Sequence, residues 1–185
     1  MKVDIFNTNK KYSIIYADPP WSYKNSPSKK GTSRGFAKNY YDLMSIEELK
    51  QIDISSISED NAVLFMWATF PMIQEALETI KNWGFRYRTC AFVWVKKNKK
   101  SDSNFWGCGY YTRSNVEICL LATKGKILER KSHSIHQIIE SKVEKHSKKP
   151  DIVRDKIIEL FGDLPRIELF ARQQVNGWDC WGDEV

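Results

Sequence analysis

Five short runs rich in β-branched and aromatic residues, at 12–17, 62–67, 89–95, 116–122 and 166–171, constrain the fold more than any other feature of the chain. Each has the length and composition of a buried strand, and they stand too far apart to be joined as hairpins throughout. Helix signals fill the intervals. Ser45-Ile46-Glu47-Glu48 opens 45–51 with a capping-box pattern, and 70–83 reads as a longer helix ended by Gly84. Pro150 suits the first position of a third helix and Asp151 complements its positive start. Gly162 follows that helix's apolar stripe of Ile152, Val153, Ile157, Ile158 and Phe161. This alternation predicts an α/β fold: a mainly parallel, doubly wound sheet with helices on both faces. The less regular stretch 94–122 leaves room for an antiparallel pair at an edge. In such sheets ligands gather beyond the carboxyl ends of the strands, so the residues just after each run are the ones to read for chemistry.

With 185 residues, 42% hydrophobic and 28% charged, the sequence predicts a single domain over 1–185. No run approaches the roughly 18 apolar residues of a membrane helix, and no apolar core follows the charges of the amino terminus. A cytoplasmic protein with no membrane partner is expected. Cys90, Cys108, Cys119 and Cys180 form no Cys-x-x-Cys pair, and His133, His136 and His146 complete no zinc spacing, so no metal is expected. A glycine-rich phosphate loop is missing, since Gly107-Cys108-Gly109 is isolated. That argues against a nucleotide hydrolase or a nicotinamide dehydrogenase.

The net charge of +6 is clustered. Lys24, Lys29, Lys30, Arg34 and Lys38 fall in 22–40 without an acidic residue, and Lys96-Lys97-Asn98-Lys99-Lys100 follows. Lys142, Lys145, Lys148 and Lys149 form a third group, interrupted only by Glu144. Contact with a phosphate backbone and a solvated basic loop explain these segments equally well.

The first run ends in Asp18-Pro19-Pro20-Trp21. Two prolines remove two backbone donors, fix φ, and push Pro19 into an extended conformation. The Asp18 carboxylate and the Pro19 carbonyl become rigidly held acceptors beside an aromatic face. Methylation of an adenine N6 amine needs such a setting. Its nitrogen lone pair is delocalised into the ring until both hydrogens are held, and a carboxylate with a carbonyl dipole stabilises the positive charge that develops on nitrogen. The tetrapeptide alone is equally compatible with a strand end whose tryptophan packs in the core. Glu117, in a run that reads as buried, calls for a cation or a function: support of the active-site loop, or a core ion pair.

Further blocks follow in order: Tyr40-Tyr41-Asp42-Leu43-Met44-Ser45, Leu64-Phe65-Met66-Trp67, Trp94-Val95-Lys96, Glu117-Ile118-Cys119-Leu120, Lys149-Pro150-Asp151 and Ile167-Glu168-Leu169-Phe170-Ala171-Arg172. The last is Gly177-Trp178-Asp179-Cys180-Trp181-Gly182. Over nearly its whole length the chain resembles the messenger-RNA adenosine methyltransferase-like (MT-A type) family of adenine-N6 methyltransferases, in its bacterial and phage branch. The resemblance implies a Rossmann-like methyltransferase with S-adenosyl-L-methionine as cofactor. Its partner would be nucleic acid, DNA ahead of RNA for so compact a domain. Asp18, Pro19, Pro20 and Trp21 would form the catalytic site and Tyr41 would line the target pocket, with Lys29, Lys30 and Arg34 on the phosphates. Asp18, Lys149, Glu168, Phe170 and Arg172 would contact the cofactor. After Arg172 the family's usual His-Asn pair is replaced by Gln173-Gln174-Val175-Asn176, and Asp183 stands where an asparagine is expected. Asn176 and Asp183 are the corresponding cofactor candidates.

Overall fold

β1 (Tyr12–Ala17) is buried almost throughout because neighbours cover it on both edges and both faces. In the computed structural model, which describes residues 1–21, 44–144 and 148–185, it runs parallel to β2 (Ser58–Ala68) on one side and to β6 (Arg166–Leu169) on the other. β3 (Arg86–Lys97), β4 (Val116–Lys124), β5 (Ile138–Lys142) and β7 (Asp179–Trp181) complete a seven-stranded sheet in the order β5-β3-β4-β2-β1-β6-β7. β4 is antiparallel to both its neighbours, and every other pairing is parallel. The antiparallel strand therefore sits inside the sheet, not at the edge where the sequence suggested it. The carboxyl ends of β1, β2, β3, β5, β6 and β7 share one edge with the start of β4.

Side-chain alternation builds two cores. Ile15, Ala17, Leu64, Met66 and Leu120 pack with Ile46 and Leu49 of α1 (Ile46–Gln51) and Ala76 and Ile80 of α2 (Ile73–Asn82). On the other face Ile14, Tyr16, Phe65 and Trp67 meet Val153, Ile157 and Phe161 of α3 (Ile152–Phe161). Each aliphatic or aromatic side chain so buried contributes roughly 1.5–3 kcal/mol.

Local signals explain most boundaries. Ser45 caps α1 with both capping-box hydrogen bonds formed. Gly84 and Gly162, at φ 82° and 80°, take the left-handed conformation that ends a helix at low cost. The expected helix 70–83 divides into a 3₁₀ turn, Phe70–Met72, and α2. α3 begins at Ile152 and not at Pro150, with Asp151 as its cap. β2 and β3 start earlier than their apolar runs, through the exposed Glu59, Asp60 and Asn61 and the exposed Arg86, Tyr87 and Arg88. Among the described residues no helix is long and apolar enough to cross a membrane.

Candidate active site

Asp18 follows the last residue of β1 at the carboxyl edge. The turn after it is closed by the Trp21 N–H, which donates to the Pro19 carbonyl at 2.9 Å across Pro20. That carbonyl keeps a second lone pair for another donor. Trp21 is only 6% exposed and joins the core cluster of the α1/α2 face. Its indole Nε1 donates to the Trp67 carbonyl at 3.0 Å, next to the end of β2. The tryptophan thus anchors the loop, whatever contact its remaining edge makes.

Four charged side chains, each less than a fifth exposed, form a chain across the sheet. The Lys149 ammonium lies 2.8 Å from Asp18 Oδ1, 2.9 Å from Oδ2 and 3.2 Å from Glu117 Oε2. Glu117 in turn accepts from Lys96 through Oε1. Two cations alternate with two anions, so the row is neutral in sum and every charge has a partner. Burial pushes the Asp18 carboxyl up from its ordinary value, against the pull of Lys149. Burial would raise Glu117 as well, but Lys149 and Lys96 more than offset it and hold that carboxyl at about 2. Lys149 is held above its ordinary value because its two carboxylates outweigh its burial. Its ammonium also lies 5.7 Å from the centre of the Trp67 ring.

A second buried pair lies beside the first. Arg154 on α3 grips Glu168 of β6 with two hydrogen bonds of 2.7 Å, from Nε and Nη2, and its Nη1 reaches Asp151 at 2.6 Å. Just beyond β6, Phe170 adopts φ 59°, a left-handed conformation that a bulky residue rarely takes. Its ring meets Trp181 edge-on at 5.3 Å. Gly182 lies against that bend so closely that a Cβ would come within 2.4 Å of the Ala171 carbonyl oxygen. Arg172 approaches Glu184 at 3.5 Å, and the exposed Asp183 follows β7 at the same edge. Asn176 does not join them. It precedes β7, and its neighbour Gly177 sits against Arg166 at the start of β6, at the amino-terminal edge of the sheet. There an open cavity of about 570 Å³ is lined by Lys10, Tyr12, Arg166 and Gly177, far from Asp18.

The order of these elements, from β1 to the segment after β7, coincides with a known family: the MT-A70 profile matches residues 12–184. The chain belongs to the MT-A70 family. It is 37% identical over 190 residues to the Type II methyltransferase M.MunI of a Mycoplasma species, covering 95% of this chain and 78% of that protein. Identity to the human N(6)-adenosine-methyltransferase catalytic subunit METTL3 is 26% over 164 residues, 88% of this chain but 26% of that one. Identity to the N6-methyladenosine RNA methyltransferase MTA1 of Pyricularia oryzae is 24% over 181 residues, 94% of this chain and 47% of that one. The family resemblance read from the motifs is borne out, and the domain is an adenine-N6 methyltransferase.

Of the residues named from sequence, the structure of this MT-A70 domain gathers Asp18, Pro19, Pro20, Trp21, Lys149, Glu168, Phe170, Arg172 and Asp183 at the carboxyl edge. Tyr41, Lys29, Lys30 and Arg34 lie outside the described residues. Lys149, expected to face the cofactor, has its ammonium between Asp18 and Glu117. Glu117 pairs with Lys149 and Lys96, the core ion pair that was one of the two readings of its sequence. Two members went unrecognised: Lys96 as the outer partner of Glu117, and Arg154 as the partner of Glu168. Arg154 carried a signal, since it is a cation beside the apolar positions of α3 and is only 7% exposed. The third basic group is largely spoken for, because Lys142 pairs with Asp102, and Lys148 with Glu144 and Asp151.

Proposed function

We propose that this domain transfers a methyl group from S-adenosylmethionine to the N6 amine of adenine in DNA. The observation that carries the reading is the Asp18 carboxylate, partly buried at the carboxyl edge, gripped through both oxygens by Lys149 and adjacent to the Pro19 carbonyl. These two acceptors each take one hydrogen of the target amine, favour a more tetrahedral nitrogen and stabilise its developing positive charge. A carboxyl whose burial raises its proton affinity is also suited to accept the proton that nitrogen sheds. S-adenosylmethionine, when bound, supplies an electrophilic methyl carbon on its sulfonium.

The edge residues fit such a cofactor. The strained bend at Phe170, held by the close approach of Gly182, shapes the strand end, and Arg172 offers a guanidinium suited to a carboxylate. Glu168 and Asp183 offer acceptors for hydroxyl or amine groups. DNA is the substrate we favour, with the likeness to the Type II methyltransferase M.MunI as its support. RNA is the second reading, supported by the likeness to MTA1. A cytoplasmic location goes with this reading.

Labelled S-adenosylmethionine incubated with DNA, RNA and free adenine nucleotides, followed by nucleoside mass spectrometry, tests the assignment. N6-methyladenine should form in DNA; label confined to RNA or to mononucleotides would overturn the substrate. At a hundredfold excess over its Kd, the cofactor should stabilise the protein by about 2.7 kcal/mol in thermal melts. An unchanged Tm with both S-adenosylmethionine and S-adenosylhomocysteine would remove the cofactor assignment.

Lys149→Met gives a pH test. Losing the ammonium removes the main influence that lowers Asp18 and leaves Glu117 opposing its ionisation. Asp18 then protonates at higher pH, so the acid limb of the methylation profile should move upward by roughly 1–3 units. A limb that stays in place would mean that Asp18 is not the group titrating.

A further inference from the structure

The loop between β3 and β4 lies outside everything assigned above, yet it rises from the same edge. Its two ends meet at Lys96: the Phe105 N–H donates to the Lys96 carbonyl at 2.8 Å, and the Lys96 N–H donates to the Asn115 carbonyl at 2.8 Å. The Lys96 side chain is the outer end of the ionic row that leads through Glu117 and Lys149 to Asp18. The loop is therefore rooted on the frame that holds the catalytic carboxylate.

Gly107-Cys108-Gly109, which carries no phosphate-loop signature, explains the loop's shape. A Cβ on Gly107 would come within 1.9 Å of the Ser114 carbonyl oxygen, and one on Gly109 within 1.9 Å of the Thr112 carbonyl oxygen. Only glycine lets the two limbs close this tightly. The reversal sets Tyr110 and Tyr111 at its tip, 96% and 94% exposed, with ring centres 5.0 Å apart. Trp106, 70% exposed, lies under the Arg113 guanidinium at 4.7 Å. Such exposure costs apolar hydration and serves nothing in the fold. Charge identifies the occupant. Lys99 and Lys100 are exposed at the loop's start, and Asp102, the one acidic residue in 98–115, is already paired with Lys142. Aromatic faces interleaved with cations suit unstacked bases on a phosphate backbone.

We propose that this loop is a base-stacking contact for the substrate strand, in which Trp106, Tyr110 and Tyr111 hold nucleobases flanking the target adenine and Lys99, Lys100 and Arg113 meet the adjoining phosphates. A methyltransferase that extrudes a base must stabilise the opened strand around it. The assignment rests on the nucleic-acid methyltransferase reading and adds the element that grips the neighbours of the extruded base.

Full-length protein carrying Tyr110→Ala and Tyr111→Ala together is compared with wild type by fluorescence anisotropy on an adenine-containing oligonucleotide and by steady-state methylation. Affinity should fall roughly fivefold to a hundred-and-fifty-fold, as for one lost base stack, with KM rising by a similar factor. The S-adenosylmethionine-induced melting shift should stay as in wild type, which also shows that the variant folds. Tyr110→Phe with Tyr111→Phe, which keeps the rings, should retain wild-type affinity. Unchanged Kd and KM in the alanine variant would overturn the loop assignment while leaving the activity reading intact. A wild-type dimer that becomes monomeric in the alanine variant by sedimentation would make the loop a contact between copies and overturn the proposal. A wild type that binds and methylates no oligonucleotide would overturn both.

Discussion

Asp18→Ala should lower adenine methylation about a hundredfold to a thousandfold, the usual loss when one preorganised electrostatic partner is removed from a reacting group. The fold should survive. Lys149 keeps Glu117 as a counter-charge at 3.2 Å, so the substitution leaves no cation orphaned in the protein. The Pro19 carbonyl also stays in its turn, because the Trp21 N–H that closes the turn does not depend on the carboxylate. Asp18→Asn separates the two duties of the side chain. Its amide oxygen still accepts one hydrogen bond but carries no charge and takes no proton, so turnover should fall between alanine and wild type. The measurements are turnover with mass-spectrometric identification of N6-methyladenine, and the Tm of each variant with and without S-adenosylmethionine. Wild-type turnover in Asp18→Ala, on a verified N6-methyladenine product, would place the chemistry elsewhere.

The sheet's centre was legible because burial on both faces leaves an apolar run with little ambiguity. β1 was read to the residue, and β2, β3, β4 and β6 were found with shorter or longer ends. β5 and β7 were not found. In Ile138–Lys142 only Ile139 is buried, as befits an edge strand, and Asp179–Trp181 is too short for periodicity to register. The direction of β4 was hidden for another reason: an apolar run covered on both faces looks the same whichever way it runs. In the site, Asp18-Pro19-Pro20-Trp21 could be read because prolines act locally on the backbone. Whether Trp21 turned to a ligand or to the core could not be, since that depends on where Trp67 stands.

Charges were the hardest part to read. Lys149 looked like one lysine of a basic run and proved to be a counter-ion of Asp18 and Glu117, whereas Asn176, close in sequence to Arg172, lies at the opposite edge of the sheet from Asp18. A buried carboxylate demands a cation but does not say which one. Glu168 found Arg154, whose place depends on how α3 is rotated against β6.

Arg154→Met should therefore be the most destabilising of the substitutions proposed for this domain, costing about 3–5 kcal/mol at neutral pH. Both Glu168 oxygens accept from Arg154, and the two side chains are each 9% exposed, so removing the guanidinium strands a charge in the interior. The loss has a pH signature. Burial already raises the Glu168 carboxyl against the pull of Arg154, and without Arg154 it rises further. An acid raised in the folded state takes up its proton there before it does in the unfolded chain. The penalty thus grows as pH rises from the ordinary carboxylate range through the raised folded value, and shrinks as pH falls and Glu168 becomes neutral. Urea unfolding of wild type and variant between about pH 5 and pH 8 measures this slope. Adding Glu168→Leu to Arg154→Met should recover much of the stability, because an apolar pair can replace a buried ion pair at little cost. The double variant also separates stability from function. If Glu168 holds the cofactor as well as Arg154, the S-adenosylmethionine-induced melting shift should stay small even where stability returns; a full shift would make Glu168 a core residue alone. A cost below about 1 kcal/mol for Arg154→Met, typical of an exposed pair, would contradict the buried pairing itself.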